Sequence, residues 1–95
     1  MITRVEITQR ARKDLVKCPV QVQKKLRIWV EAVELIGVEA VRKQGGKGLH
    51  DEPLAGKREG QRSIRLSQGY RAFYKVRKDG TVEFLSVLEV NKHDY

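Results

Sequence analysis

The chain has 95 residues and a net charge of +8, with 20 Lys and Arg residues against 12 Asp and Glu residues. This length favours one domain, residues 1–95, with one modest core, and it excludes an enclosed cleft between domains. The excess of positive charge fits a polyanionic partner: nucleic acid, an acidic protein or an anionic membrane surface.

Cysteine content and hydropathy indicate where the protein resides. Cys18 is the only cysteine, so no disulfide can form within the chain and a reducing compartment is expected. Residues 1–13 are polar and lack the apolar segment of a signal peptide. No apolar run approaches the ~20 residues that a membrane span requires. We therefore expect a cytoplasmic protein without a membrane partner.

The first half of the chain is predicted to be mainly helical. Residues 2–7 alternate in polarity, which indicates a short edge strand, and Thr8 can cap a helix that extends to Val16. Pro19 separates it from a longer helix, and Gly37 ends or kinks that helix before one or two further turns over residues 38–43. The longer helix has one apolar stripe at helical spacing: Val22, Leu26, Trp29, Val30, Val33 and Ile36.

The second half is predicted to form strands. Residues 45–56 contain four glycines and one proline, which indicates a long loop. Residues 57–78 alternate at the strand period around a turn at Gln68-Gly69. Asp79-Gly80 predicts a type I′ turn, and residues 81–90 are apolar on both faces, as in a central strand. The fold class is therefore α+β: a small, twisted, mainly antiparallel sheet with two to three N-terminal helices on one face and the other face open.

The hairpin over residues 57–78 is the most basic part of the chain. It contains eight basic residues and one acidic residue, a net charge of +7. The alternation places Ser63 and Arg65 on one face of the first strand, and Arg71 and Phe73 together on one face of the second. An arginine beside aromatic rings can bind phosphate through two hydrogen bonds while a ring stacks on a base. Tyr70 and Tyr74, on the other face, are predicted to be core residues.

Two histidines are predicted to lie at the rim of this open face. His50 precedes the hairpin and His93 follows the last strand. Imidazole suits proton transfer near neutral pH, although either residue alone could equally be a surface histidine without a role. No Cys or His pair has the spacing of metal ligands, so neither a metal nor another cofactor is predicted. Cations, histidines and a terminal tyrosine around an open sheet suit cleavage of a phosphodiester in single-stranded RNA.

Several short motifs in this region carry a family resemblance. They are Leu49-His50, Pro53-Leu54, Gly56 with Arg58-Glu59-Gly60, Ser63-Ile64, Gly69-Tyr70-Arg71 and the closing Asp94-Tyr95. The succession resembles the RelE/ParE superfamily of bacterial toxins from toxin–antitoxin modules, and in particular the HigB and RelE-like mRNA interferases. In this chain Asp51-Glu52 stands as an insertion between the histidine and Pro53. His93 precedes the Asp-Tyr pair, whereas the family's histidine follows it.

The resemblance implies a microbial-RNase-like fold that enters the A site of the 30S ribosomal subunit, beside the 16S rRNA, and cleaves mRNA there without a metal. It also implies neutralisation by a cognate antitoxin. Arg65 stands where RelE-type enzymes carry a lysine. The candidate catalytic residues are His50, Arg71, His93, Asp94 and Tyr95. The predicted RNA contacts are Lys57, Arg58, Arg62, Arg65 and Lys92.

Two alternatives remain open at the level of sequence. The superfamily also contains ParE-like toxins that poison DNA gyrase and lack the nuclease residues. A basic sheet face could also belong to an RNA-binding module without catalysis. The presence of His50, His93 and Tyr95 favours the nuclease over both.

Overall fold

The structure, a computed structural model, describes residues 4–44 and 49–90. Helices lie at Gln9–Val16 (α1), Val20–Ile36 (α2) and Val38–Arg42 (α3). Strands lie at Val5–Ile7 (β1), Glu52–Pro53 (β2), Arg62–Ser67 (β3), Tyr70–Val76 (β4) and Val82–Glu89 (β5). The strand order in the sheet is β1-β5-β4-β3-β2. The predicted α+β fold class is confirmed.

The last strand occupies the middle of the sheet. β5 pairs with β1 in parallel, with Val5 opposite Val82, and with β4 in antiparallel orientation. β3 pairs with β4 and with β2, both antiparallel. The edge position of the first strand and the central position of the last are therefore as predicted. β5 thus has a strand neighbour along each edge, and its Val82, Phe84 and Val87 are buried in the core.

The helices cover one face of the sheet, and local residues at their ends determine where α1 begins and where α2 gives way to α3. The Thr8 hydroxyl accepts a hydrogen bond of 3.2 Å from the Ala11 N–H, as expected of an N-cap. Gly37, with φ of 90°, separates α2 from α3, a conformation that a residue with a Cβ rarely adopts. The Trp29 ring packs against the rings of Tyr74 and Phe84, with centroids 5.3 and 5.4 Å away. No helix in the described ranges is long and apolar enough to cross a membrane.

Two local predictions are wrong. The loop predicted over residues 45–56 contains β2, because Glu52 and Pro53 pair with the edge of β3. The turn before β5 is not type I′, which needs positive φ at two adjacent central residues. Among its residues only Gly80 has positive φ, 91°, and its N–H donates to the Arg77 carbonyl at 2.9 Å. The Asp79 carboxylate accepts the Thr81 N–H at 2.9 Å, which holds this alternative turn.

Candidate functional site

The side chains of the hairpin divide between the two sheet faces as the alternation predicts. Ile64, Ala72 and Tyr74 face the helices and are completely buried. On the opposite face, Ser63 pairs with Phe73, and Arg65 pairs with Arg71. The core positions predicted for Tyr74, which is completely buried, and for Tyr70, which packs at the core's margin, are confirmed. The face away from the helices therefore presents the residues that the sequence singled out, and it is the candidate site.

Arg71 is seated within this face instead of projecting from it. Its side chain is only 5% exposed, and Nη1 donates to the Ser63 hydroxyl at 2.8 Å. The same Nη1 atom lies 3.0 Å from Oε1 of Glu52. The sequence predicted a cation on an open strand face, but β2 brings a carboxylate beside it, because Glu52 pairs with Ser63. The contacts hold the Arg71 guanidinium in a fixed orientation.

Glu52 is the functional candidate that sequence reasoning missed. Its side chain is 46% exposed, so the carboxylate that pairs with Arg71 also meets solvent. It was overlooked because it lies in a segment predicted to be loop and treated as an insertion relative to the family. One signal could have found it. A hairpin with eight cations needs anions from elsewhere, and Asp51 and Glu52 are the acidic residues immediately before it.

Asp51, the neighbour of Glu52, points to the helix side and is 3% exposed. Its carboxylate accepts hydrogen bonds from the Tyr74 hydroxyl and from Arg62 Nε, the latter at 2.6 Å, and Arg42 Nε lies 3.5 Å away. Burial, and then the hydrogen bond to Asp51, raise the pKa of Tyr74 above its ordinary range. Neighbouring strand residues point to opposite faces. The anchoring of Asp51 therefore directs Glu52 toward Arg71.

The structure separates Arg62 from the other predicted RNA contacts. Arg62 pairs with Tyr74 in the sheet, so its side chain lies on the helix side, where it binds Asp51. Burial opposes the charged guanidinium, but the hydrogen bond and charge of Asp51 outweigh it and raise the pKa of Arg62. The sequence grouped Arg62 with Arg65 by proximity along the chain. The strand period places them on opposite faces, which removes Arg62 from the candidate site.

Three other predicted RNA contacts have no acidic partner among the described residues. Lys57, Arg58 and Arg65 form no ion pair with any carboxylate in the described ranges. Arg58 is the last residue of a short 3₁₀ turn, Gly56–Arg58, and its guanidinium lies 4.2 Å from the centre of the Phe73 ring. Arg65 and Lys57 are exposed. These three residues, the free cationic cluster, are available to phosphate groups.

Of the three cations at the other end of the hairpin, Lys75, Arg77 and Lys78, the first two are already paired with carboxylates. Lys75 Nζ lies 3.6 Å from a carboxylate oxygen of Glu83, and Arg77 pairs with both Glu6 and Glu83. The net charge of +7 counted from the sequence is therefore not all available to an external anion, because part of it is paired with carboxylates within the protein. Of the free cationic cluster, Arg65 pairs with Arg71 across the strands, and Arg58 lies over Phe73 on the same face.

His50 lies at the edge of the same region. The carbonyl of Leu49 accepts the Arg65 N–H at 2.7 Å, so this segment runs beside β3 and brings exposed His50 to the strand's edge. Leu49 and His50 both have positive φ, 56° and 52°, an uncommon pair of conformations for residues with a Cβ. Within residues 4–44 and 49–90 no three His, Cys, Asp or Glu side chains converge as a metal site. The remaining predicted residues, Lys92, His93, Asp94 and Tyr95, lie outside the described residues.

Comparison with known proteins identifies the family and the fold of this chain. The chain matches, over residues 5–92, the family described as the ParE toxin of the type II toxin–antitoxin system parDE. No curated protein sequence matches it. RelE in the archaeal RelE–RelB complex of Pyrococcus horikoshii OT3 superposes with a TM-score of 0.71 at 22% identity, covering 97% of this chain and 99% of that chain.

Two further solved structures are similar. E. coli RelE, a mutant in complex with a RelB antitoxin peptide, has a TM-score of 0.67 at 25% identity, over 99% of this chain and 90% of that one. A chain of the RelBE toxin–antitoxin complex of Mycobacterium tuberculosis has a TM-score of 0.55 at 26% identity, over 95% of this chain and 100% of that one. Since the family match spans nearly the whole chain and the fold is that of RelE toxins, the chain belongs to the ParE toxin family within the RelE/ParE superfamily, and it is a toxin of a type II toxin–antitoxin module.

Proposed function

We propose that this toxin is a ribosome-dependent endoribonuclease that cleaves mRNA in the ribosomal A site and so inhibits translation. The observation that carries the proposal is the contact between Arg71 and Glu52. A buried, oriented guanidinium lies against a half-exposed carboxylate, and the free cationic cluster surrounds them. An anion binder next to a proton acceptor is the minimum arrangement for phosphodiester cleavage.

In the proposed reaction the 2′-hydroxyl of one nucleotide attacks the adjacent phosphorus. The new bond joins 2′-oxygen to phosphorus, and the bond from phosphorus to the 5′-oxygen of the next nucleotide breaks. Glu52 accepts the proton of the 2′-hydroxyl, with His50 as the second candidate base. Arg71 donates hydrogen bonds to the phosphate oxygens, whose negative charge increases in the transition state. The leaving 5′-oxygen takes a proton from a general acid, for which His93 and Tyr95 are the candidates.

The free cationic cluster has the role of positioning the RNA. Arg65 lies next to Arg71 on the adjacent strand and is exposed, so it can bind a phosphate beside the one that is cleaved. The Arg58 guanidinium already lies over the Phe73 ring, which holds it on this face, where its N–H groups can bind a phosphate. Lys57 extends the same positive surface.

The proposed protein partner is a cognate antitoxin. The RelE toxins of P. horikoshii and E. coli were solved with RelB antitoxin or a peptide of it. An antitoxin that brings acidic or apolar side chains onto the face with Arg65 and Arg71, or that displaces the C-terminal segment, blocks the site directly. Charge reversal at both arginines with unchanged antitoxin affinity would instead assign inhibition to the helical side.

Poisoning of DNA gyrase is the second candidate, because the family model that matches is that of ParE. The two activities differ in their product. Primer extension on a reporter mRNA after induction detects cuts within translated codons, and a gyrase poison instead leaves gyrase-linked DNA breaks. Intact RNA and intact DNA in growth-arrested cells would leave only the non-catalytic RNA-binding module.

The decisive variant is Glu52→Gln, which keeps the shape of the side chain and removes the proton acceptor. We expect cleavage to fall by a factor of about 10² to 10⁴, the usual loss when a general base is removed. The control is Glu59→Gln, an exposed carboxylate of the same region without an ion pair in the described structure. Equal cleavage by Glu52→Gln and wild type would assign the base to His50, and His50→Gln then becomes the test of the site.

A further inference from the structure

Helix α2 presents a second apolar stripe on the side away from the core. Four of the five large apolar side chains that are exposed among the described residues belong to α1 or α2: Val16, Val20, Ile28 and Leu35. Those of α2 are 64%, 66% and 79% exposed in chain order. Exposed apolar side chains on one side of a helix mark a surface that another molecule covers.

The stripe has an internal symmetry. Val20, Lys24, Ile28, Glu31 and Leu35 follow one another at intervals of four, four, three and four residues, and all are exposed. At 3.6 residues per turn they fall within an arc of about 80°. In this outer stripe the order of side-chain types is apolar, basic, apolar, acidic, apolar. Reversing the direction gives the same order with the charges exchanged.

We propose that the outer stripe is a self-association surface, on which α2 packs antiparallel against α2 of a second copy of this chain about a two-fold axis near Ile28. This arrangement places Val20 against the partner's Leu35 and Lys24 against the partner's Glu31, twice each, and Ile28 against itself. A parallel arrangement would place Lys24 against Lys24 and Glu31 against Glu31. The charges thus select the isologous, closed dimer over a parallel pair.

An acidic or a basic partner helix fits the outer stripe less well than a second copy does. Lys24 attracts an acidic helix, but Glu31, about 10 Å further along, repels it. Only a partner whose charges run in the opposite order satisfies both positions, and α2 itself has that order. Because the helices cover the face of the sheet opposite to Arg65 and Arg71, the dimer leaves the candidate site of each copy accessible.

The contact is one helix pair about 25 Å long, smaller than the ~800 Å² per partner of standard interfaces. We therefore expect reversible association that depends on concentration. In sedimentation equilibrium at low salt, the apparent mass of the wild type should rise with protein concentration from the monomer mass of 10.9 kDa toward twice that value. Ile28→Glu should remain monomeric, and its circular dichroism should match that of wild type because the side chain is exposed.

Charge exchange tests the direction of packing. Lys24→Glu and Glu31→Lys each place like charges together at two sites, and each should weaken association about fivefold or more. The double exchange Lys24→Glu/Glu31→Lys should restore it. Lys43→Glu, a charge reversal at the exposed residue that follows α3, is the control for net charge. Single reversals that behave like Lys43→Glu, or a double exchange that stays weak, overturn the antiparallel arrangement.

Cysteine cross-linking tests the axis itself. Ile28→Cys should form a disulfide-linked dimer under oxidation, since residue 28 faces its own copy. Leu35→Cys should not, because the two copies of residue 35 lie about 21 Å apart and a disulfide requires Cα atoms within about 7 Å. Native Cys18 is buried, so wild type supplies the background. Cross-linking at 35 and not at 28, or a constant monomer mass, overturns the proposal and leaves the outer stripe to another partner.

Discussion

The carboxylate of Asp51 is expected to contribute a large share of this small protein's stability. Asp51→Asn keeps the volume and removes the charge, which leaves two guanidinium groups without their counter-ion. Removing one partner of a fully buried pair costs about 3–5 kcal/mol. The side chains of Arg42 and Arg62 are 26% and 27% exposed, so water offsets part of that loss. We expect a decrease of about 2–3 kcal/mol in the free energy of unfolding.

The measurement is urea denaturation followed by circular dichroism. With a slope near 1–1.5 kcal/mol per M, the midpoint should fall by about 2 M at unchanged slope. Asp79→Asn is the matched control, because an amide oxygen can still accept the Thr81 N–H and its midpoint should stay near that of wild type. Cleavage by Asp51→Asn should fall even where the variant is folded, since Glu52 loses its anchor. A midpoint shift below about 0.5 M, with cleavage intact, would refute the reasoning.

Three further predictions follow from the same contacts. Tyr74→Phe should lower the free energy of unfolding by about 1–3 kcal/mol, since Asp51 loses a hydrogen-bond donor. Because the pKa of Tyr74 is raised in the folded protein, the stability difference between wild type and Tyr74→Phe should be constant below pH ~10, the pKa of tyrosine in the unfolded chain, and should decline above it. Denaturation at pH 8–11 measures this difference. Arg65→Gln should reduce the salt dependence of single-stranded RNA binding by a slope of about 0.7, whereas a slope equal to wild type argues against a phosphate contact. Deletion of residues 93–95 should leave the melting temperature nearly unchanged and abolish growth arrest; a truncated chain that remains toxic assigns the activity to the described face alone.

The sequence predicted those parts of the fold that depend on local periodicity. Three such predictions are confirmed: the apolar stripe of α2 that faces the core, the cap at Thr8, and the two-residue alternation of β3 and β4. Each depends only on residues that are neighbours in the sequence. The same alternation already implied that Arg62 and Arg65 face opposite ways. Grouping them by charge alone was the error.

The rest depends on contacts between segments far apart in the chain. β2 has only two residues, and it exists because the edge of β3 offers hydrogen bonds, not because Glu52-Pro53 has strand propensity. The pairing of Glu52 with Arg71 and of Asp51 with Tyr74 joins residues 19 and 23 positions apart. No periodicity within either segment reports such pairs, so the contact between Glu52 and Arg71 became evident only from the structure.

The central position of β5 has a consequence for the order of folding. Residues 5–7 and 70–76 both pair with strand 82–89 and not with each other, so β1 and β4 remain unpaired along those edges until β5 is available. The β1–β5 pairing joins residues 77 positions apart and is expected to form late, and a nascent chain halted before β5 leaves the edges of both β1 and β4 unsatisfied. We therefore expect such a fragment to misfold or aggregate and not to be partly toxic. A premature stop codon anywhere before residue 82 should therefore eliminate toxicity completely, however many of the candidate site residues have already been made.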